Sequence, residues 1–302
     1  MSLLGSVLGG AVGDAFGAPV EFSTIADIRR LHGPEGVVDL PVLEITDDTQ
    51  MVLFTLEGLL LARERGLDPL VTVRAAYARW LHTQGGPPVE DDGWLMSDRR
   101  LHSRRAPGHT CLTALKHNEK NNSKGCGGVM RAAPVAVWST DLREVFELAV
   151  GTAKMTHHHP SGYLSAGVLA AIVRALLDGA DLPSAVAVAR AELVRWDGHE
   201  EQTTLLDKAT RLGPLTPEQV ESELGGGWVG EEALAIGLHA ALVGDSFPDA
   251  VRRAVNHSGD SDSTGSICGN ILGARDGVAV IPESWLSVLE LRDLTERLAL
   301  SW

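Results

Sequence analysis

Three glycines spaced four residues apart, Gly265, Gly269 and Gly273, run through TGSICGNILGARDG (264–277). Positions i, i+4 and i+8 share one face of an α-helix. A helix bare along one face suits close packing against its neighbours. The rest of the chain has the same helical spacing. MVLFTLEGLLLARERG (51–66) is apolar on most faces, carries Arg63 and Arg65 in its last turn and stops at Gly66, the pattern of a helix end. Further helices are predicted over 161–183, 182–198, 230–244 and 247–259. Only GVVDLPVLEI (36–45) tempts a strand assignment, and Pro41 interrupts it. The expected fold class is all-α. Loop signals fall at 83–93, 104–110, 121–128 and 212–228; none reads as an interdomain linker, and no repeat period is evident.

Composition narrows the partners. A chain of 302 residues with 44% hydrophobic and 22% charged residues can bury a core without staples. Its net charge of −14 argues against nonspecific contact with nucleic acid or anionic membranes. A phosphorylated small ligand remains compatible, because backbone N–H groups hold phosphate inside acidic proteins. The three cysteines, Cys111, Cys126 and Cys268, are widely spaced, which excludes a disulfide framework and fits a reducing, cytoplasmic setting. The N-terminal segment is apolar but has no basic n-region, and Asp14 breaks it, so a secretory leader is not expected. No run is read as reaching the roughly 18 apolar residues of a membrane span.

Two acidic clusters carry the chemistry. ITDDTQM places Thr46, Asp47, Asp48 and Thr49 just before the helix at 51; NHSGDSDSTGS places Asp260, Asp262 and Ser263 before the glycine-faced helix. Each alone reads as a helix cap, with Ser263 capping a helix from Thr264, since Asp, Ser and Thr satisfy free N–H groups at a helix start. As a pair they read differently. Each offers two carboxylates and a hydroxyl, and hard divalent cations take oxygen ligands. If the clusters converge, their four carboxylates balance two divalent ions; without metal, the same groups repel and some must protonate. Convergence also ties both ends of the chain into one domain. Rival motifs fail. An EF-hand needs Glu where Ile271 stands, no Lys follows Gly265 as a P-loop requires, and neither a G-x-S-x-G elbow nor H-E-x-x-H is present.

Other features keep two readings. KGCGGVMRAAP (124–134) is a backbone nest for pyrophosphate or ribose oxygens, or a flexible turn. MTHHHPSGY (155–163) reads as a polar loop before a histidine metal site. Asp14 and Glu21, in GDAFGAPVEF, sit in apolar, glycine-rich surroundings that suggest at least one is buried for a reason. Trp228 packs in the core, the favoured reading, or stacks on an aromatic base.

GDAFGAPVEF, TDDTQM, APGHTC, KGCGGVMRAAP, THHHPSGY and NHSGDSDSTGSICGNILGA occur in the order seen in the ADP-ribosylglycohydrolase family, which the chain resembles from about Leu4 to Gly277. The resemblance implies a compact all-α domain, here 1–302, with two Mg²⁺ or Mn²⁺ ions in a cleft. By motif, Thr46, Asp47, Asp48, Asp260, Asp262 and Ser263 resemble the metal ligands. Glu21 falls where some members carry a mobile, gating glutamate. Gly125, Cys126, Gly127 and Gly128 match the loop that cradles ADP-ribose, and His157 matches the family's TH histidine. Pro107 and Gly108 begin a further substrate loop, in which His109 departs from the usual Asn. Trp228 joins the candidate substrate contacts.

The implied function is hydrolysis of the N-glycosidic bond between ADP-ribose and an acceptor, with a water acidified by the ions and Asp48 or Asp260 steering or accepting its proton. Ser263 leans the acceptor toward protein arginine. The alternatives are ADP-ribosyl-serine, O-acetyl-ADP-ribose or an ADP-ribosylated nucleobase, or a non-catalytic ADP-ribose-binding or crystallin-like protein. The intact acidic clusters argue for an enzyme. The partners implied are ADP-ribose and ADP-ribosylated protein, with no nucleic acid and no membrane.

Overall fold

The computed structural model describes residues 2–90 and 93–302. Among these the architecture is all-α, with no strand and only two single-residue bridges, Leu43–Leu289 and Gly125–Val229. The helices are α1 (Leu3–Gly17), α2 (Ile25–His32), α3 (Asp47–Arg65), α4 (Pro69–Thr83), α5 (His109–His117), α6 (Leu142–Ala153), α7 (Pro160–Leu177), α8 (Leu182–Leu193), α9 (Glu200–Arg211), α10 (Pro217–Leu224), α11 (Gly230–Val243), α12 (Phe247–Val255), α13 (Ser261–Asp276), α14 (Glu283–Leu286) and α15 (Arg292–Leu300). One buried apolar cluster runs from Leu3 to Ala299, and a smaller one fills the space between α9, α10 and α11.

The glycine face of α13 meets a matching face on α1. A Cβ on Gly269 would lie 1.9 Å from the Gly9 carbonyl oxygen, and one on Gly9 would lie 2.3 Å from that of Gly269. Gly5 opposes Gly273 and Gly13 opposes Gly265 in the same way, and Gly17 meets Ser261. The two helices are therefore antiparallel and in backbone contact, closer than the 8–10 Å usual where side chains intervene. Ser6 Oγ adds a hydrogen bond of 3.0 Å to the Asn270 carbonyl. α7, α11 and α12 surround the pair.

Two apolar helical stretches, Leu3–Val20 and Pro160–Leu177, are long and apolar enough by length and composition to cross a membrane, against the expectation that no such run exists. In each, 78% of the residues are buried inside the protein, so helix packing accounts for their apolarity.

Most helix assignments hold, with shifted ends. α3 starts four residues before the predicted position, so Asp47 and Asp48 form its first turn, and it ends at Gly66 in the left-handed region (φ 65°) that glycine adopts most readily. α7 stops at Leu177 rather than 183, and α12 at Val255 rather than 259. α13 begins at Ser261, with Asp260 in the cap position and no side chain capping it, so Ser263 lies inside the first turn and is not the cap. The loop expected over 212–228 contains α10, opened by a reciprocal capping box between Thr216 and Gln219. Of the loop predicted over 83–93, Asp91 and Asp92 lie outside the described residues.

The backbone contact gives a direct test. Gly269→Ala forces backbone against backbone and is expected to cost about 3 kcal/mol, the upper end of overpacking penalties. Gly213→Ala, at an exposed glycine with open space around it, should stay within about 0.5 kcal/mol. Chemical denaturation of both variants measures this; equal stabilities would refute the contact.

Candidate active site

The α1–α13 register delivers the C-terminal end of α1 to the first turn of α13. Asp14, fully buried near that end, acts as a cap for a different helix. Its carboxylate accepts the N–H groups of Thr46 (3.1 Å) and Thr49 (3.1 Å) together with the Thr49 hydroxyl, and so fixes the start of α3. Thr46 Oγ1 caps the same helix by accepting the Asp48 N–H at 3.2 Å. A 3₁₀ turn, Ala18–Val20, then leads from α1 into Glu21. Three helix ends thus meet: the last turn of α1 and the first turns of α3 and α13.

At that junction lies a cavity of about 310 Å³. Its acidic wall is Glu21, Asp47, Asp48, Asp260 and Asp262, with Ser263 beside them. Single oxygens of Glu21, Asp260 and Asp262 lie within 4.8 Å of one another. The sequence reading placed Glu21 outside the ligand set; the fold puts it inside the cluster. Asp47 accepts the Gly108 N–H (3.3 Å), Asp262 the Ser263 N–H (2.9 Å), and Asp260 Oδ2 the Cys126 thiol (2.8 Å). Asp48 Oδ2 is buried with no partner. Burial, then repulsion from Asp262, pushes the carboxyls of Asp47, Asp48 and Asp260 well above the usual range; the same two causes raise Asp14 to about 7 and Glu21 to about 9. The donor set is all oxygen, the type that hard divalent cations take.

The opposite wall comes from the other sequence motifs. Pro107, Gly108, Gly125, Cys126, Gly127, His157 and Trp228 all line the cavity, joined by Phe22, Ala106, His109, Thr110, Cys111 and Met130. Two predicted residues do not. Gly128 turns its face to α7, where a Cβ would lie 2.5 Å from the Gly162 carbonyl oxygen. Thr46 opens instead onto an adjoining cavity of about 350 Å³.

The glycine loop is less of a free N–H nest than expected. Gly125 N–H donates to Ser123 Oγ (3.2 Å) and Cys126 N–H to the Trp228 carbonyl (3.2 Å), so both are already used to hold the loop. Trp228 is not in the core: it is 44% exposed at the rim and stacks on Phe22, 76% exposed, with ring centres 5.6 Å apart. Phe22 went unnoticed in the sequence; its place one residue after Glu21 was the available signal.

The three histidines do separate work. His157 is buried in the cavity wall, and burial with the nearby Arg131 charge lowers it to about 3. His158 Nδ1 accepts the Asn121 N–H (3.3 Å), and His159 Nδ1 caps α7 through the Ser161 N–H (3.1 Å).

The sequence profile of the ADP-ribosylglycohydrolase family matches residues 2–301. The ADP-ribosyl-[dinitrogen reductase] glycohydrolase of Rhodospirillum rubrum is 28% identical over 96% of this chain and 90% of its own length. The ADP-ribosylarginine hydrolase Tri1 of Pseudomonas putida is 25% identical over 98% of this chain and 76% of its own. A solved ADP-ribosylglycohydrolase-related protein complex superposes with a TM-score of 0.70 at 27% identity, covering 99% of this chain and 95% of that one. With the profile spanning all but the terminal residues, the chain belongs to the ADP-ribosylglycohydrolase family.

Proposed function

We propose that this chain cleaves the N-glycosidic bond of ADP-ribosyl-arginine, working as one domain over its whole length. Its family consists of glycosidic hydrolases of ADP-ribosylated substrates. The observation that carries the proposal is the convergence of five carboxylates on one face of a cavity whose other face is the glycine loop and His157.

Divalent ions, Mg²⁺ or Mn²⁺, fit that acidic face. Three carboxylate oxygens stand in mutual reach, and a fourth carboxylate has a buried oxygen without a partner. Glu21, Asp47, Asp48, Asp260 and Asp262 would hold the ions, with Ser263 beside them as a hydroxyl ligand, while Thr46 caps α3 and opens on the adjoining cavity. Bound there, they supply Lewis acidity toward substrate oxygens.

The chain's own groups do the rest. As the glycosidic bond lengthens, positive charge develops at the anomeric carbon, and the carboxylate face is oriented to stabilise it. A water proton needs an acceptor. Asp48 and Asp260, which both line the cavity, are the two carboxylates placed to take it. The loop around Gly125–Gly127, His157 and the Phe22–Trp228 pair would hold and orient the ADP-ribose.

The adjoining cavity supports the arginine linkage. It shares Glu21 and Ala106 with the first, so the two meet at the reacting end. Its walls offer Ala15, Pro19 and Val42 to methylene groups and the exposed Glu44 to a cation. Arg105 is held there between Glu290 (2.6 Å) and Glu44 (3.6 Å), which leaves the local charge negative. A guanidine leaving group suits such a pocket; a neutral seryl one gains nothing from it.

Release of ADP-ribose from ADP-ribosyl-arginine should require Mg²⁺ or Mn²⁺ and stop with EDTA, and Asp260→Asn should lower kcat by at least about 100-fold while staying folded. Activity indifferent to EDTA would reject the ions, and release only from ADP-ribosyl-serine or O-acetyl-ADP-ribose would reject the arginine linkage. Binding that relieves carboxylate repulsion should also raise Tm with added Mn²⁺ and do so less in Asp260→Asn, read by thermal melts. For the acceptor pocket, Glu44→Gln is expected to raise KM for ADP-ribosyl-arginine about two- to fivefold, the scale of one exposed charge pair, with kcat unchanged; an unaltered KM would remove Glu44 from the acceptor site.

A further inference from the structure

Arg131 is completely buried behind the cavity wall. Among the described residues it has no carboxylate partner. Its Nη2 donates to Thr156 Oγ1 (2.6 Å) and to the Thr152 carbonyl (3.3 Å), and its Nη1 faces Met51 Sδ (3.4 Å) and Cys111 Sγ (3.5 Å). The guanidinium lies 4.4 Å over the Tyr77 ring, and its Nε has no partner at all. A buried cation among neutral groups is an expensive way to fill space, and even buried ion pairs are often replaced by apolar residues of similar volume without loss of stability. Packing alone therefore does not account for it.

Its nearest contact leads to the cavity. A guanidinium only donates, so Thr156 Oγ1 must accept from Arg131. The hydroxyl has one proton to give and two acceptors in reach, His157 Nδ1 at 2.8 Å and the Ala153 carbonyl at 3.3 Å. Donation from a cation makes the hydroxyl a stronger donor and a poorer acceptor. It also disfavours an N–H dipole on Nδ1 pointing back toward the charge. Both effects, and the shorter distance, direct the threonine proton to Nδ1. The imidazole, buried and neutral, then carries its own proton on Nε2.

Nε2 is the nitrogen that faces the glycine loop. A Cβ on Gly125 would lie 3.1 Å from it and one on Gly127 3.3 Å, so the two glycines leave it accessible from the cavity that His157 lines. A donor fixed in this way suits an atom that only accepts. Phosphate oxygens are of that kind, whereas ribose hydroxyls both accept and donate.

We propose that Arg131, acting through Thr156, is a positioning residue that holds His157 as the neutral Nε2–H tautomer, so that the cavity presents one fixed N–H to a diphosphate oxygen of ADP-ribose. The identity of the ligand rests on the proposed function; the tautomer does not.

Nitrogen-15 NMR of the imidazoles in the full-length protein reads the tautomer directly. The wild-type protein should show His157 as a single Nε2–H species, and added ADP-ribose should shift that N–H. Thr156→Val should mix the tautomers and weaken ADP-ribose binding by about tenfold in calorimetry, and Thr156→Ser should restore both. An Nδ1–H species or a mixture in the wild type overturns the proposal, as does a single Nε2–H species surviving in Thr156→Val. If ADP-ribose binds without moving the His157 N–H, this inference alone falls. If ADP-ribose does not bind the wild-type protein, the functional reading falls and takes the diphosphate contact with it. Arg131→Met, apolar and of similar length, should mix the tautomers as Thr156→Val does, and a single Nε2–H species in the folded Arg131→Met variant removes Arg131 from the proposal.

Discussion

The direct backbone contact between α1 and α13 governs where everything else in this structure can be. A ladder of glycines holds the two helices in a single antiparallel register, Gly5 to Gly273, Gly9 to Gly269 and Gly13 to Gly265. Sliding either helix by one residue would drive side chains into the facing backbone, so the register is steric rather than adjustable. The ladder also closes the chain on itself, joining its first helix to one near its end. Its consequence appears at one end, where Asp14 and the turn leading to Glu21 arrive beside Asp260 and Asp262. Asp14 in turn fixes α3 by accepting N–H groups from its first turn. The ladder thus sets α1, α1 sets α3, and the acidic face forms where they meet α13.

That face is costly to build. Helix N-termini favour negative charge, yet four buried carboxylates and the half-buried Glu21 exceed what two helix ends can stabilise, and most of them are pushed upward in pKa. The chain supplies only part of the missing solvation: one N–H for Asp47, one for Asp262, a thiol for Asp260, and nothing for one oxygen of Asp48. The start of α13 makes the same point. Asp260 occupies its cap position without capping it, and its carboxylate turns to the cavity. Capping and ligand-holding looked interchangeable in the sequence. At α3 they are shared between Thr46, which caps, and the two aspartates behind it, which line the cavity.

How much of this could be read from the sequence varies with the range of the interaction. Local signals were legible: the all-α class, most helices, the Gly66 stop, and both acidic clusters, since periodicity and cap chemistry reside within a few residues. The bare face of α13 was legible as a face, but its partner was not, because the N-terminal glycines were weighed as part of an apolar leader and pairing is a tertiary fact. Trp228 was misjudged for the same reason. A tryptophan after three glycines carries no local mark of whether the chain around it covers it, and here it stacks on Phe22 at the rim. Glu21 and Arg131 show the limit most clearly. The sequence marked Glu21 as a site residue but not as a neighbour of Asp260 and Asp262, and among the described residues Arg131 has no anionic partner; neither arrangement is visible without knowing what surrounds the side chain.

The rigidity of the ladder also bears on Glu21. The family resemblance suggests a glutamate that moves to open the site, yet α1 cannot slide or roll without breaking backbone contact at every fourth residue. Even Gly17, its last residue, touches Ser261. Any backbone displacement at Glu21 therefore has to arise in the short 3₁₀ turn Ala18–Val20 and the residues just after it. A backbone shift at Glu21 carries with it the next residue, Phe22, which is stacked on Trp228, and Trp228 is tied through its carbonyl to the Cys126 N–H of the glycine loop. Moving that backbone away from Asp260 and Asp262 thus either swings Phe22 off Trp228 or turns the chain between them, whereas rotation of the Glu21 side chain disturbs neither. The fold thus ties the backbone under Glu21, through Phe22 and Trp228, to the aromatic rim of the cavity.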